Sequence, residues 1–399
     1  MKRRTTDVLV SGGGVAGLTA AAAFGAAGFS VICVDPAAPI TNREEHGADL
    51  RSTAFLQPSV PVLRAAGLWK RLEPFAAPLQ VMRIIDAGGP KPEPRIVKDF
   101  NASDISDQPF GWNLPNWLLR REMVAALADL PNVDFRPGIS TLGLTTRDTE
   151  ALVTLSDGSR VSARLVIAAD GRGSLIRDAA GISVTTTRYG QKALAFAVTH
   201  PIPHQNVSTE IHRSGGPFTL VPLPDHLGSP SSAIVWMESG PEIARLAALD
   251  QSEFEDEIAI RSCGILGPLT LASRRTVWPI ISQLATRMAA ERVALMAEAS
   301  HVVPPIGAQG LNMSLADLAK LIELAKASPN DLGSRSMLAA YHDARHLDIS
   351  TRLRGIDALN RASMLGEPMM RDLRAAALNA LYALSPVRKT LMKVGLGLR

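Results

Sequence analysis

Cysteine is nearly missing from the chain: two residues in 399, Cys33 and Cys263, with no CxxC. A disulfide framework, a cysteine zinc site and a dithiol redox centre have no residues to build from, and a reducing compartment fits. No run of about 18 apolar residues is free of glycine and charge, so no membrane span is expected. There is little excess of one charge either. Forty-two basic residues face 38 acidic ones, a net +4 too small to argue for nucleic acid. No internal repeat is visible. What remains is 46% hydrophobic, with 31 Gly and 27 Pro, the composition of a packed globular protein long enough for two to three domains.

Lys2, Arg3 and Arg4 followed by an alanine-rich apolar stretch imitate a signal peptide. Ser11, Gly12, Gly13 and Gly14 interrupt that stretch, which reads instead as strand, turn, helix and second strand: a βαβ unit with Gly28 where the helix stops. Residues 79–107 are strand-like and punctuated by Gly and Pro, so they read as an insertion. Helical spacing covers 120–130, and a hairpin turns at Asp157-Gly158. Short strands recur over 193–239 and are expected to form a sheet with the insertion. Helices are expected over 241–249 and 251–262, a strand near 275–281, and helix after about 334, with breaks near Gly366 and near Ser385-Pro386.

Three motifs carry chemistry. The first is Gly12-x-Gly14-x-x-Gly17, which follows a strand and opens a helix. Glycine permits the tight turn, the approach of backbone to a pyrophosphate and close packing of helix on strand, while Val15 and Ala16 lie in the helix's first turn. Asp35 follows Gly17 by 18 residues at the end of the next strand, where a carboxylate can accept hydrogen bonds from a ribose diol. The context points to dinucleotide binding. The second motif is a buried strand ending in Asp170-Gly171, with Ser174 and Arg177 just beyond; a plain strand and turn is its alternative. The third begins at Arg292 and runs through Glu298 and His301 to Pro304-Pro305-Ile306-Gly307, Gly310, Leu311, Asn312 and Asp317. It is a strand ending in a carboxylate, a rigid glycine-rich loop, and a helix whose N-terminus can stabilise negative charge on a ring system.

These motifs, in this order, resemble the class A flavoprotein monooxygenases of the para-hydroxybenzoate hydroxylase fold, and within them the ubiquinone-biosynthesis hydroxylases of the UbiH family. The resemblance spans nearly the whole chain. It includes Arg51-Ser-Thr-Ala-Phe with the helix over 59–69, the stretch 116–127 with Arg121, Asp170-Gly171, the approach over 279–292 and the loop 304–312. It implies an α/β fold: a Rossmann-like FAD-binding domain from 1–78, 110–180 and 276–345, an inserted mixed-sheet substrate domain from 79–109 and 181–275, and C-terminal helices over 346–399.

The resemblance also implies roles. Gly12, Gly14 and Gly17 hold the FAD pyrophosphate, with Val15 and Ala16 beside them, and Asp35 the adenosine ribose. Arg51 and Arg121 contact FAD from the side, with Arg120 as the substitute for Arg121. Asp170 and Gly171 help hold FAD and influence nicotinamide access. Glu298 faces the ribityl chain; Gly307, Gly310, Leu311 and Asn312 lie against the isoalloxazine, with Pro304 beside its reactive edge. Pro304, Gly307 and His301 are the catalytic candidates, although a lone His is more often a structural hydrogen-bonder. No metal site is expected, and His200, His204 and His212 read as loop residues. Trp236, Met237 and Trp278 read as core. One departure matters: the family usually has Gly-Asp where this chain has Ala297-Glu298.

The implied reaction is hydroxylation of an aromatic, phenolic ring with NAD(P)H and O2, on a small-molecule ubiquinone precursor that carries a polyprenyl chain in this pathway. An FAD-dependent reductase or dehydrogenase, and a weakly catalytic flavoprotein partner, are the alternatives. The last stretch, 371–399, holds six basic residues against one acidic. It suits both a solvated final helix and an interfacial helix pair, so the location implied is cytoplasmic with peripheral contact to the inner membrane open. Self-association and membership of a biosynthetic complex are open too.

Overall fold

The computed structural model describes residues 3–213, 215–364 and 368–398. β1 (Arg3–Ser11) carries Val8, Leu9 and Val10 with no solvent exposure, as a central parallel strand requires. It leads into α1 (Val15–Ala26) and then β2 (Val31–Asp35), which lies parallel to β1. The alanines 20–23 of α1 are all buried, and their small side chains let the helix lie close on its neighbours. Gly28, at φ +90°, makes the turn beyond the helix.

The centre of the first sheet runs Val133–Pro137, β2, β1, Arg160–Ala168 and Val293–Leu295, and these five strands pair in parallel. The expected hairpin is present: Ala151–Leu155 pairs antiparallel with the start of Arg160–Ala168. A small sheet of Ser52–Leu56, Gly111–Pro115 and Ala77–Leu79 flanks this unit.

The second sheet is mixed and unites the two inserted stretches. Val81–Asp86 pairs parallel with Val207–His212 and antiparallel with Ile96–Asn101. The long strand Val184–Thr199, with Ser229–Ser239 and Pro217–His226, forms its antiparallel centre. Alternation divides its faces. Leu194, Phe196, Ile234 and Trp236 pack under the helices Gly240–Ala248 and Gln251–Arg261, while Ala193 and Met237 lie in a separate cluster that Ile306 joins. Thr276–Ala285, expected to open the last FAD-binding segment, pairs instead with Val184–Thr199 in this second sheet. Its short apolar pattern fits either sheet, and only the free ladder edge beside Val184–Thr199 decides between them.

Helices Gln309–Ala327, Arg335–Met364, Pro368–Ala383 and Ser385–Leu396 complete the chain. The break near Ser385 falls at Leu384, between two of them. The break near Gly366, the terminal Arg399 and the side chains of Arg371 and Arg374 lie outside the described residues. Among the described residues no helix is long and apolar enough to cross a membrane.

Candidate functional site

All the sequence motifs converge on one edge of the first sheet, because each follows the carboxyl end of a parallel strand. Gly12 to Gly14 follow β1, Asp35 ends β2, Asp170 follows Arg160–Ala168, and Glu298 follows Val293–Leu295. This edge is where open α/β sheets bind ligands.

The glycines differ in what they do. At Gly12, φ is +111° and an added Cβ would lie 2.2 Å from the Ala169 carbonyl oxygen; at Gly17 it would lie 1.9 Å from the Gly12 carbonyl oxygen. These two are required by the protein's own packing. Gly14 is different: its backbone is extended, and a Cβ there meets nothing within 4 Å. It is the N-cap of α1, a helix with no side-chain cap and no acidic residue in its first turn. Gly14, Val15 and Ala16 are half-buried between fully buried neighbours, so the helix's free N–H groups face open space. The Asp35 carboxylate accepts from the Gly13 N–H at 2.6 Å and the Ala37 N–H at 2.9 Å, which fixes it at the rim of the glycine turn.

An arginine cluster is built on Asp49, a residue the motif reading passed over. Arg51 donates to both Asp49 oxygens at 2.7 Å, Asn116 Nδ2 donates at 3.1 Å, and Arg120 lies 3.5 Å away. Burial alone would raise the Asp49 carboxyl, but the hydrogen bond and charge of Arg51, then Asn116 and Arg120, hold it below its ordinary range. The carboxylate stays ionised and anchors both guanidiniums. The Asp-x-Arg spacing in an extended segment was the available signal. Arg51 also sits over the Trp278 ring at 5.4 Å, so Trp278 is a cation–π partner at this edge and only half-buried. Of the two consecutive arginines it is Arg120 that shares Asp49. Arg121, the first expectation, lies between Phe75 and Trp117, 5.4 Å from each ring, and pairs with Glu122. Consecutive helical residues point about 100° apart, so one helix cannot turn both arginines to the same side.

Glu298 is exposed on a short turn, 3.4 Å from Arg172, and its charge reaches Arg51. Ala297 before it has φ +55°, a left-handed conformation that costs alanine but not glycine. Ala297→Gly is therefore expected to stabilise the protein by roughly 0.5–1 kcal/mol, with flavin affinity held or improved. Denaturant titration of both proteins checks this; a lower midpoint for the glycine variant contradicts it.

Asp170 accepts from Ser174 Oγ at 2.5 Å and from the Ile176 N–H at 3.2 Å, while Gly171 turns at φ +84°. This carboxylate braces a short helix, and its segment packs on the back of the glycine turn. In the third motif Pro304 is buried and Gly307 is exposed at φ +63°. Gly310 has only Val303 near its missing Cβ, at 3.7 Å. Helix Gln309–Ala327 begins here without a side-chain cap or a first-turn acid, and Leu311, in its first turn, packs against the main core. Asn312 departs from expectation. Its amide donates to the carbonyls of Ala54 and Ala308 at 2.8 and 2.6 Å and accepts from the Leu56 N–H and Ser59 Oγ at 2.8 and 2.6 Å. A side chain with four protein partners ties the loop to Ser52–Leu56 and has no capacity left for a ring system.

His301 also departs from its catalytic expectation. Its side chain has no exposure, and Nε2 lies 2.7 Å from Asp317, which in turn accepts from Arg345 at 2.8 Å. It is an internal brace under the loop. His200 bonds Ser232 and the Ile202 carbonyl, His204 the Leu223 carbonyl, and His212 pairs with Glu210. Among the described residues no cluster of His, Cys, Asp and Glu can hold a metal. Trp236 and Met237 are buried in the second sheet. Between the second sheet and the segment Pro115–Leu118 lies a cavity of about 140 Å³ lined by Phe75, Trp117, Ala197, Leu223 and His226.

An uncapped helix terminus with a vacant Cβ position, a carboxylate at the end of β2, a paired arginine cluster and a second uncapped helix behind a glycine loop together define a dinucleotide-binding protein able to take FAD. The chain belongs to the family described as FAD binding domain, which matches residues 5–354. Ubiquinone hydroxylase UbiL of Rhodospirillum rubrum is 31% identical over 398 residues, covering 99% of this chain and 90% of that protein. The 3-demethoxyubiquinol 3-hydroxylase of Escherichia coli is 25% identical over 401 residues, covering 100% of both. The chain is thus a member of the ubiquinone-hydroxylase group of FAD-dependent monooxygenases. Its fold is also that of p-nitrophenol 4-monooxygenase PnpA from Pseudomonas putida, with a TM-score of 0.81 at 19% identity over the full length of both chains.

Proposed function

We propose that this enzyme hydroxylates a phenolic ring of a ubiquinone precursor, using NAD(P)H and O2. What supports the reading is loop 304–312, which joins the two parts of the proposed site: Asn312 ties it to Ser52–Leu56 beside Arg51, and Ile306 packs on the Ala193–Met237 cluster of the second sheet. Bound FAD supplies electron transfer from the nicotinamide and activation of O2, leaving the protein placement, water exclusion and charge stabilisation. The α1 N-terminus with Gly14 holds the pyrophosphate, Asp35 the ribose, and Arg51 and Arg120 the flank, while Glu298 faces the ribityl chain. The N-terminus of helix Gln309–Ala327, with Gly307 and Gly310, faces the ring system and stabilises negative charge there. Pro304 stiffens the loop, and the cavity lined by Phe75, Trp117, Ala197 and Leu223 gives the substrate ring an apolar bed. The proposal places the protein in the cytoplasm, reaching a polyprenylated substrate at the inner membrane.

The test begins with the visible spectrum of the purified protein before and after adding FAD. NAD(P)H oxidation, O2 uptake and incorporation of 18O into product are then followed with phenolic quinone precursors. A flavin-bound protein that places one labelled oxygen on the ring is the expected result. Nicotinamide oxidation without labelled product supports a reductase instead, and a protein that refuses FAD supports the non-catalytic partner.

A further inference from the structure

The cavity beside Pro115–Leu118 is mostly apolar, with Phe75, Trp117, Ala197 and Leu223 on its wall. Its volume, about 140 Å³, is close to that of a cavity known to take up benzene, so it suits one aromatic ring. A bare ring would need no polar wall, yet Arg43 and His226 line the same space from two distant parts of the chain. Ser231 and Ser273 line it as well, but their hydroxyls donate to the carbonyls of Val198 and Arg274, both at 3.0 Å.

His226 ends the strand Pro217–His226, just before a tight turn in which Leu227 and Gly228 both have positive φ. Arg43 comes from the segment ahead of Ser52–Leu56. Its Nη1 touches both ring nitrogens of His226, 2.9 Å from Nε2, and its Nη2 donates to the Ala272 carbonyl at 3.0 Å. Arg51, Arg83 and Arg345 each donate to a carboxylate, whereas these partners of Arg43 are an imidazole and a carbonyl, neither of them an anion. A guanidinium keeps its charge at any working pH and makes its strongest hydrogen bonds to an oxyanion. Burial, and then the charge of Arg43, hold the His226 imidazole below its ordinary range, against the opposite pull of Glu44. At neutral pH the ring therefore has a lone pair to give. Asp225, which is exposed, is the other titratable residue on the cavity lining among the described residues.

We propose that Arg43 and His226 form the subsite that receives and deprotonates the phenolic hydroxyl of the substrate ring. The assignment rests on the proposed function and gives it a general base. The phenol O–H bond breaks, its proton passes to an imidazole nitrogen of His226, and the electron pair stays on the oxygen, where Arg43 holds the charge. Delocalised into the ring, that pair makes the ortho and para carbons rich enough in electrons to take up an oxygen atom. O2 is the oxidant and NAD(P)H the reductant, and the second oxygen leaves as water. The hydroxylated carbon then loses its own proton to solvent, and the imidazolium returns the first proton to the phenolic oxygen. The apolar wall of Phe75 and Trp117 strengthens the attraction between guanidinium and phenolate by excluding water from it.

Binding of p-nitrophenol, whose ionised form has its own visible absorption, reads the subsite without turnover. Difference spectra of the full-length, FAD-loaded protein should show the bound phenol displaced roughly tenfold or more toward phenolate relative to free solution. Arg43→Gln should abolish the displacement, and Arg43→Lys, which restores the charge, should keep most of it. With a phenolic quinone precursor, His226→Gln should lower kcat at neutral pH by roughly a hundredfold and regain it as the pH rises toward about 10, where a phenol ionises by itself. The parent should instead lose activity as the pH falls through the range in which His226 takes up a proton. A parent that does not bind p-nitrophenol, or an Arg43→Gln protein that ionises it equally, overturns the subsite. Hydroxylation with one and the same pH profile in the parent and His226→Gln also overturns it and leaves the proposed function standing. A parent that ionises p-nitrophenol through Arg43 yet hydroxylates no precursor supports the subsite and counts against the function.

Discussion

Gly14→Asp is expected to yield a protein that melts no lower than the flavin-free parent and carries no flavin. The two halves of this outcome have separate causes. Gly14 has an extended backbone that any residue adopts, and a Cβ there meets no protein atom within 4 Å, so the folded chain accepts the side chain without strain. Aspartate is moreover a favoured N-cap, worth about 0.5–2 kcal/mol over a residue that cannot accept from the first-turn N–H groups, and a few tenths over glycine. The same carboxylate occupies the donors that a pyrophosphate needs and places a negative charge beside two more. Like charges about 4 Å apart cost roughly 1–4 kcal/mol between bulk water and a protein surface, before the lost hydrogen bonds are counted. Flavin affinity should fall by roughly a hundredfold or more. Gly17→Ala supplies the contrast. Its Cβ would lie 1.9 Å from the Gly12 carbonyl oxygen, so that variant should lose stability and flavin together. Thermal melts read alongside the flavin absorbance separate the two cases; a yellow Gly14→Asp protein would sink the placement of the pyrophosphate.

Arg345→Met should destabilise the protein by about 3–5 kcal/mol, the usual result of removing one partner from a buried charge pair. Asp317 has no exposure and accepts from Arg345 Nε at 2.8 Å and lies 2.7 Å from His301 Nε2. Arg345 also reaches Asp348 at 2.8 Å, and Arg352 joins at 3.1 Å, so the brace runs from beneath the loop to the long helix Arg335–Met364. Methionine fills most of the volume but removes the guanidinium, leaving the buried Asp317 carboxylate with its His301 contact alone. Adding Asp317→Asn removes that charge and should restore part of the loss, a coupling that independent sites do not show. Denaturant midpoints of the two single variants and the double variant measure it. Simple additivity, or an Arg345→Met protein within about 1 kcal/mol of the parent, would show that no ionic pair operates here.

The βαβ unit, the strand-ending carboxylates and the C-terminal helices were legible because each depends on neighbours in sequence. A glycine spacing, an alternating run or a three-and-four repeat expresses local backbone geometry. That the two inserted stretches share one sheet could be anticipated, since their strands announce themselves singly; its mixed character was implied only by the resemblance. The sheet to which Thr276–Ala285 belongs could not, because a short apolar strand pairs with whichever ladder edge the rest of the chain leaves open.

The same division runs through the site. Residue order alone establishes that a dinucleotide turn, an acid 18 residues on and a proline–glycine loop occur in one chain, and these suffice for the cofactor class. Which arginine joins Arg51 depends on the rotation of helix Asn116–Ala128 against Asp49, a relation between distant segments. Whether Asn312 and His301 meet a ligand or the protein depends on Ala54, Leu56, Ser59 and Asp317, whose proximity no spacing records. A polar side chain has a limited number of hydrogen bonds, and those made across the fold decide what remains for chemistry.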